Sequence, residues 1–115
     1  FYVGGAVVYT LAGRRTLLEV PDEAVKGVRS STEAYARIAA RAIRDRLGTT
    51  WGLSESGASG PTGNPYGDPA GHTCIAVSGP VDRALTLETG DADRAANMIR
   101  FSARTLELLL SALEA

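Results

Sequence analysis

SGASGPTGNPYGDPAG, residues 56–71, interrupts the otherwise regular apolar patterning of this 115-residue chain. It holds five of the chain's 13 glycines and three of its 5 prolines, and alanine is its largest aliphatic residue. Glycine and proline at this density disfavour both strand and helix interiors, so the stretch predicts a loop. A long irregular loop inside a compact domain is typically functional, with a plain connecting loop as the alternative.

Strand signals lie on both sides of this loop. Residues 50–54 predict a short strand before it, and His72–Ser78 predicts a strand after it. Residues 79–82 then predict the turn of a β-hairpin whose second strand is Arg83–Thr89. The alternation of that second strand separates two faces, one with Ala84, Thr86 and Glu88 and the other with Leu85, Leu87 and Thr89.

A helix is predicted from about Thr32 to Leu47. Ser30 and Glu33 have the spacing of a capping box, and Gly48 is a suitable C-cap. The arginines of this helix are interpreted as a solvated face rather than as a phosphate site. Its predicted apolar stripe comprises Ala34, Ile38, Ala39, Ala42, Ile43 and Leu47.

A second long helix is predicted to begin after an Asp91 cap and to end near Leu113. Helical spacing predicts that Met98 belongs to the core. The full predicted apolar face comprises Ala95, Met98, Ile99, Ser102, Leu106, Leu109 and Leu113.

The first residues predict a buried strand. Phe1–Tyr9 is rich in valine and tyrosine, and Gly4-Gly5 is typical of a bulge or of a close approach by a ligand or another backbone. Because Phe1 opens directly into this apolar run, we expect the domain to be truncated at its N-terminus. Residues 10–20 predict a turn and a short helix, and residues 21–27 predict a further helix of one or two turns.

Composition indicates one globular domain over residues 1–115, with 44% hydrophobic and 22% charged residues. The order of elements predicts an α/β domain with three layers. A net charge of -1 argues against nucleic-acid binding, and no run of about 20 apolar residues indicates a membrane span.

The single cysteine and single histidine limit the chemistry. Cys74 allows no intrachain disulfide and fits a cytoplasmic protein, and no metal-ligand cluster or cofactor is predicted. His72 and Cys74 are interpreted as packing residues, and Asp68 as a turn carboxylate.

Several motifs resemble the CinA C-terminal domain family of nicotinamide-nucleotide amidohydrolases. Residues 4–14, GGAVVYTLAGR, are similar to the family's GGVVxYSxxxK, and residues 56–61, SGASGP, are similar to its TGIAGP. Shorter matches follow the family order: LL and VP within residues 17–21 (LLGVP), residues 69–71 (PxG), and residues 90–91 (GD). The resemblance spans almost the whole chain and implies a CinA-like α/β/α sandwich with a mixed sheet.

The resemblance also implies a function. The intact protein is expected to hydrolyse the carboxamide of nicotinamide mononucleotide to nicotinate mononucleotide and ammonia, and to take a small nucleotide as its partner. A homo-oligomer is expected for a separate reason, because strand edges exposed by the truncation would pair with another chain. The implied catalytic residues are Tyr9, Arg14 and Ser56. The implied substrate-binding residues are Gly4, Gly5, Thr10, Gly57, Ala58, Ser59 and Gly60.

Two departures from the family leave a second hypothesis open. The family's serine-bearing ESxTGG motif has no counterpart in residues 1–115, and the family's lysine falls on Arg14. Arginine remains protonated at any working pH and cannot act as a general base. The alternative function is therefore a catalytically inactive or repurposed nucleotide-binding or assembly module.

Alternatives also stay open for the individual residues. Tyr9 could be a half-buried aromatic, Arg14 part of a surface arginine pair, and Ser56 a turn-forming serine. Arg94 and Arg100 are both candidates for the arginine found in the family's last helix.

Overall fold

The computed structural model describes residues 1–115, which form a small sheet enclosed by helices. In chain order the elements are α1 (Leu11–Gly13), a π-helical turn (Arg14–Leu18), a 3₁₀ turn (Asp22–Val25), α2 (Glu33–Leu47), β1 (Gly52–Ala58), β2 (His72–Ser78), β3 (Arg83–Glu88) and α3 (Arg94–Leu113).

The sheet has the strand order β1-β2-β3, with α2 on one face and α3 on the other. This confirms the predicted three-layer α/β arrangement. The resemblance implied a mixed sheet. In the structure both strand pairings are antiparallel.

The core lies on either side of the fully buried central strand β2. Its α2 side contains Ala36, Ala40, Cys74 and Ala76, and its α3 side contains Ile75, Val77, Leu108 and Ala112. A third cluster, of Leu18, Val20 and Val25, packs against the outer face of α2. Helix α2 is therefore covered on two sides.

The predicted hairpin is confirmed. Strand β2 has the predicted bounds, β3 ends one residue earlier, and the Gly79 amide donates to the Asp82 carboxylate in the turn. The alternation of β3 is also as predicted, because Ala84 packs on the α2 side and Leu85 on the α3 side.

Strand β1 is longer than predicted and takes in the first three residues of the expected loop. Its register with β2 continues through Ser56↔Cys74 to Ala58↔His72. The ladder with a buried neighbour overrides the weak strand propensity of these small residues. The loop proper is therefore residues 59–71.

Helix α2 is capped by Thr32, not by the predicted pair of Ser30 and Glu33. The Thr32 hydroxyl accepts from the Tyr35 amide at 3.2 Å. The face packed on the sheet is formed by Ala36 and Ala40, both 0% exposed. Of the predicted stripe, four residues are half-buried against the outer cluster, whereas Ala34 and Leu47 are exposed. Helix α2 has two apolar faces, and the predicted stripe corresponds to the outer one.

Helix α3 has the predicted C-terminal end, but its N-cap is Asp93 and its buried face is different. The predicted core residue Met98 is 52% exposed and Ile99 is 72% exposed. Successive residues turn about 100° around a helix, so an offset of one position moves a stripe to another face. The buried residues are Asn97, Phe101, Leu108 and Ala112. None of the chain's helices combines the length and the apolar character that a membrane crossing requires.

The segment Phe1–Tyr9 is not a strand, and most of its side chains are exposed. A segment becomes a strand only when it pairs with an edge of a sheet, and apolar character alone does not determine that pairing. None of the three strands pairs with it. Only Val8 packs against a buried cluster, that of Leu18, Val20 and Val25.

Candidate functional site

The loop of residues 59–71 is closed at its base and ordered by its own side chains. The Gly71 amide donates to the Ala58 carbonyl at 2.8 Å, directly after the last pair of the β1–β2 ladder. Inside the loop, the Asn64 side chain accepts from the amides of Tyr66 and Asp68 at 3.0 and 3.1 Å. This is an asparagine-centred turn, so residues 64–68 are ordered locally.

Helix α3 holds the carbonyl groups at the start of the loop. Asn97, 0% exposed, donates from Nδ2 to the Ser59 carbonyl at 2.9 Å and to the Asp91 carbonyl at 2.8 Å. Its Oδ1 accepts from the Thr89 hydroxyl at 2.7 Å. Arg94 donates to the Gly60 carbonyl at 3.0 Å. Two consecutive carbonyls are thereby directed at α3.

The amides of this segment are left free. Those of Ser59, Gly60, Thr62 and Gly63 donate to no protein group, and Pro61 has no amide hydrogen. A peptide unit is planar and its N–H points opposite to its C=O, so the Gly60 amide points away from α3. Gly60 is itself buried with φ +112°, a backbone conformation that glycine adopts without strain. Backbone amides left free in a turn are able to bind an anion.

Ser56 precedes this segment on the α2 face of the sheet. Its hydroxyl accepts from the Ser31 amide at 2.9 Å, and Ser31 has the left-handed backbone value φ 61°. On β2, opposite Ser56, lies Cys74. Ser56 therefore sits between the start of α2 and the free amides, with its hydroxyl hydrogen not committed to a protein acceptor.

His72 lies beside Ser31 in the same buried region. One ring nitrogen, Nδ1, contacts the Glu88 carboxylate, and the other, Nε2, lies 2.9 Å from the Ser31 carbonyl and 3.6 Å from the Asp68 carboxylate. Burial lowers the pKa of His72, but the bonds to Glu88 and Ser31 and the charges of Glu88 and Asp68 outweigh it and raise the pKa above its usual 6.5.

Cys74 has the packing role predicted for it. It is 2% exposed, belongs to the core cluster with Ala36 and Ala40, and touches the Ser31 carbonyl and the Thr86 hydroxyl at 3.5 and 3.4 Å. Burial raises the pKa of the thiol, so it is poorly suited to act as a nucleophile. His72 is also buried, but it does more than pack, because it connects β2, β3 and the start of α2.

Asp68 is a turn carboxylate, as predicted, and it also fastens the loop to the segment before α2. It pairs with Arg29 at 2.9 Å, accepts from Asn64 at 2.7 Å and faces His72. The bonds from Arg29 and then Asn64 hold the pKa of this carboxyl below its usual range. Arg29 also lies over the Tyr66 ring at 4.7 Å, so it contacts the loop at both Tyr66 and Asp68.

The implied residues of the first segment lie away from Ser56. Tyr9 is 83% exposed and makes no hydrogen bond, and Thr10 caps α1 through the Gly13 amide at 3.0 Å. Gly4 lies near Leu47, at the opposite end of α2 from Ser31, and Gly5 lies beside the Tyr2 hydroxyl. No hydrogen bond or ion pair connects residues 1–18 to the loop.

Arg14 is neither a surface residue nor a member of the loop site. It is 7% exposed and pairs with Asp22, which also accepts two bonds from Arg15. Its Nε has no partner. The guanidinium therefore fastens the π-helical turn to the 3₁₀ turn. Two surface depressions of about 440 and 350 Å³ lie in this region and on α2, and neither borders the loop.

Two residues that shape this site, Asn97 and Ser31, are not among the predicted site residues. A polar residue four positions before Phe101, on what becomes the buried face of α3, is a signal that could have identified Asn97. Ser31 carried no such signal, because its role depends on a backbone conformation. No group of three or more His, Cys, Asp or Glu side chains is arranged to hold a metal ion.

A family model, the CinA C-terminal domain, matches residues 1–113. The chain belongs to this family. Named relatives include a "CinA-like protein" of Salinibacter ruber, 31% identical over 107 residues, and one of Myxococcus xanthus, 34% identical over 111 residues. These alignments cover 93% and 94% of this CinA-like chain but 26% of each relative.

Solved structures share the fold. The competence or damage-inducible protein of Enterobacter asburiae superposes with a TM-score of 0.82 at 24% identity, covering 92% of this chain and 67% of that one. A CinA superfamily protein of Escherichia coli gives a TM-score of 0.79 at 19% identity, covering 89% of this chain and 59% of that one. At these identities the likeness supports the fold alone. The chain spans about a quarter of the length of the relatives named above.

Proposed function

We propose that this domain binds the anionic part of a pyridine nucleotide at residues 59–63, and that the full-length protein is a nicotinamide-nucleotide amidohydrolase. The observation that carries the proposal is the set of four free amides in a loop whose carbonyls are held by Asn97 and Arg94. Fixed backbone donors of this kind stabilise a phosphate or a developing oxyanion without a reorganisation cost.

The reaction proposed is acyl transfer to water. Water adds to the carboxamide carbon, the C–N bond breaks, and the products are a carboxylate and ammonia. Such chemistry needs a nucleophile, a proton acceptor and an oxyanion stabiliser. With the loop amides assigned to the phosphate, Ser56 supplies a hydroxyl whose oxygen is oriented by the Ser31 amide.

The direct test incubates the full-length protein with nicotinamide mononucleotide and measures ammonia. We expect release above an enzyme-free control, and a loss in Ser56→Ala that is absent in Ser102→Ala, whose exposed hydroxyl bonds only to its own helix. Absence of release from the wild-type protein would remove the amidohydrolase from consideration.

A second candidate is a nucleotide-binding module without catalysis. The observation that favours it is the ion pair between the buried Arg14 and the exposed Asp22, because a guanidinium stays protonated and cannot act as a general base. Calorimetric titration with nicotinamide mononucleotide separates the two candidates. Binding without ammonia release would support the module, whereas turnover that is unaffected by Arg14→Ala would show that Arg14 is structural.

A further inference from the structure

The surroundings of His72 determine its protonation. Nδ1 faces the Glu88 carboxylate and Nε2 faces the Ser31 carbonyl, and both partners can only accept hydrogen bonds. A neutral imidazole carries one N–H, so it can satisfy only one of these two acceptors. Both contacts require the imidazolium form, in which both ring nitrogens donate.

Ser31 connects this ring to Ser56. Its carbonyl accepts from His72, and its amide donates to the Ser56 hydroxyl at 2.9 Å. The same residue has φ 61°, a conformation that a non-glycine residue adopts at a cost and keeps when its surroundings hold it. The bonds on both sides of Ser31 supply that restraint.

Charged groups from every neighbouring element surround the ring. Glu88 on β3 and Asp68 in the loop face it directly, and Arg29 pairs with Asp68. The Cys74 thiol on β2 lies 3.9 Å from Nε2. Glu33 of α2 lies one step further away, bonded to Thr86 beside Cys74. Carboxylates outnumber the one arginine, so the environment favours a positive ring.

We propose that His72, as an imidazolium held between Glu88 and Ser31, is a positioning residue that fixes the Ser31 backbone and thereby the Ser56 hydroxyl. This inference depends on the proposed function in one respect, the contact between Ser56 and the nucleotide. When His72 loses a proton, one ring nitrogen presents a lone pair to an acceptor, and the contact with Ser31 or with Glu88 breaks. The Ser56 geometry is then lost as pH rises through the His72 pKa.

The test follows ¹⁵N-histidine signals of the full-length protein with pH, assigning His72 as the signal missing from His72→Gln. We expect a midpoint above 6.5 and a Ser31 amide shift that follows the same midpoint. Glu88→Gln keeps an acceptor but removes the charge, so it should lower the midpoint by about 1 pH unit. Glu107→Gln, an exposed carboxylate on α3, should leave the midpoint unchanged.

Binding of nicotinamide mononucleotide, followed by calorimetry across the same pH range, provides the second measurement. The high-pH loss of binding should move down in Glu88→Gln by the same amount as the His72 midpoint, which a merely structural role would not produce. A neutral His72 at pH below 6.5, or a Ser31 amide insensitive to the titration, overturns the positioning role. If the wild-type protein binds no nucleotide at any pH while the Ser31 shift follows His72, the proposed function fails and the positioning role stands.

Discussion

Single polar side chains at buried positions decide how the loop is presented. Asn97 uses both of its amide hydrogens and its carbonyl oxygen on three different partners, and it is fully buried. A buried polar group of this kind is stabilising only while every partner is present. Asn97 is therefore a fastener between α3 and the loop rather than a packing residue.

Replacing Asn97 tests that role. Asn97→Leu keeps the approximate volume but leaves the Ser59 and Asp91 carbonyls without their donor, so we expect a loss of about 2 to 3 kcal/mol in unfolding free energy. We also expect faster chymotryptic cleavage at the exposed Tyr66. Urea denaturation and limited proteolysis measure the two effects. Ser102→Ala on the same helix serves as the control, and an unchanged cleavage rate in Asn97→Leu would contradict the fastening role.

Small residues on α2 and the buried face of α3 determine how the two helices pack on the sheet. Ala36 and Ala40 let α2 approach closely, and Gly52 on β1 completes the contact. On the other face, Phe101 and Leu108 of α3 are buried while the more apolar neighbouring stripe is exposed. Packing, rather than the average hydropathy of a stripe, selects the face.

Gly52→Ala measures how tightly α2 sits on β1. The added Cβ would lie 2.2 Å from the Ala40 carbonyl oxygen and 2.8 Å from the Arg44 Cβ, so the helix must move. Overpacking of this kind costs about 1 to 3 kcal/mol, measurable by urea denaturation. Gly4→Ala is the matched control, because its Cβ would meet only Leu47 at an ordinary 3.7 Å. Equal stability of the two variants would exclude a close contact at Gly52.

Two truncations on α3 test which of its faces belongs to the core. Leu108→Ala removes a side chain that is 6% exposed and should cost about 2 to 5 kcal/mol. Ile99→Ala removes one that is 72% exposed and should change the unfolding free energy by no more than about 0.5 kcal/mol. Thermal or urea unfolding of the two variants measures both effects. A larger loss in Ile99→Ala than in Leu108→Ala would show that the face predicted from periodicity belongs to the core.

Across the whole molecule, the ionisable groups around the loop connect elements that are distant in sequence. Asp68 and His72 join the loop, the start of α2 and the β2–β3 hairpin. Their contributions to stability change with pH in opposite directions. The raised pKa of His72 contributes stability that is lost as pH rises through its folded value, whereas the lowered pKa of Asp68 contributes stability that is lost as pH falls.

Asp68→Asn should flatten the acid side of the stability profile. The carboxylate is bonded by Arg29 and Asn64, so its contribution is present above its unfolded pKa near 3.8 and disappears as pH falls through its lower folded value. Unfolding free energies measured between about pH 5 and pH 2 should fall less steeply in the variant. Arg29→Met should reduce the slope in the same direction. An unchanged slope in Asp68→Asn would show that the pairing contributes nothing to stability.

Local rules were sufficient for much of the architecture. The hairpin, the ends of α2, the C-terminal end of α3 and a glycine-rich loop between two strands follow from turn residues, caps and periodicity in the sequence, and the motifs indicated the family. These features depend on contacts between near neighbours in the chain, which a pattern of residues records directly.

Folding in three dimensions decided the rest. The register of β1 with β2 carried the strand into the expected loop, and Phe1–Tyr9 pairs with no strand although β1 and β3 each have a free edge. Tertiary structure also decided the buried face of α3, and it brought Ser31 to Ser56 and His72, which are 25 and 41 positions away in the chain. Such contacts depend on which surfaces meet, and a residue pattern read along one segment carries no record of the surface it will face.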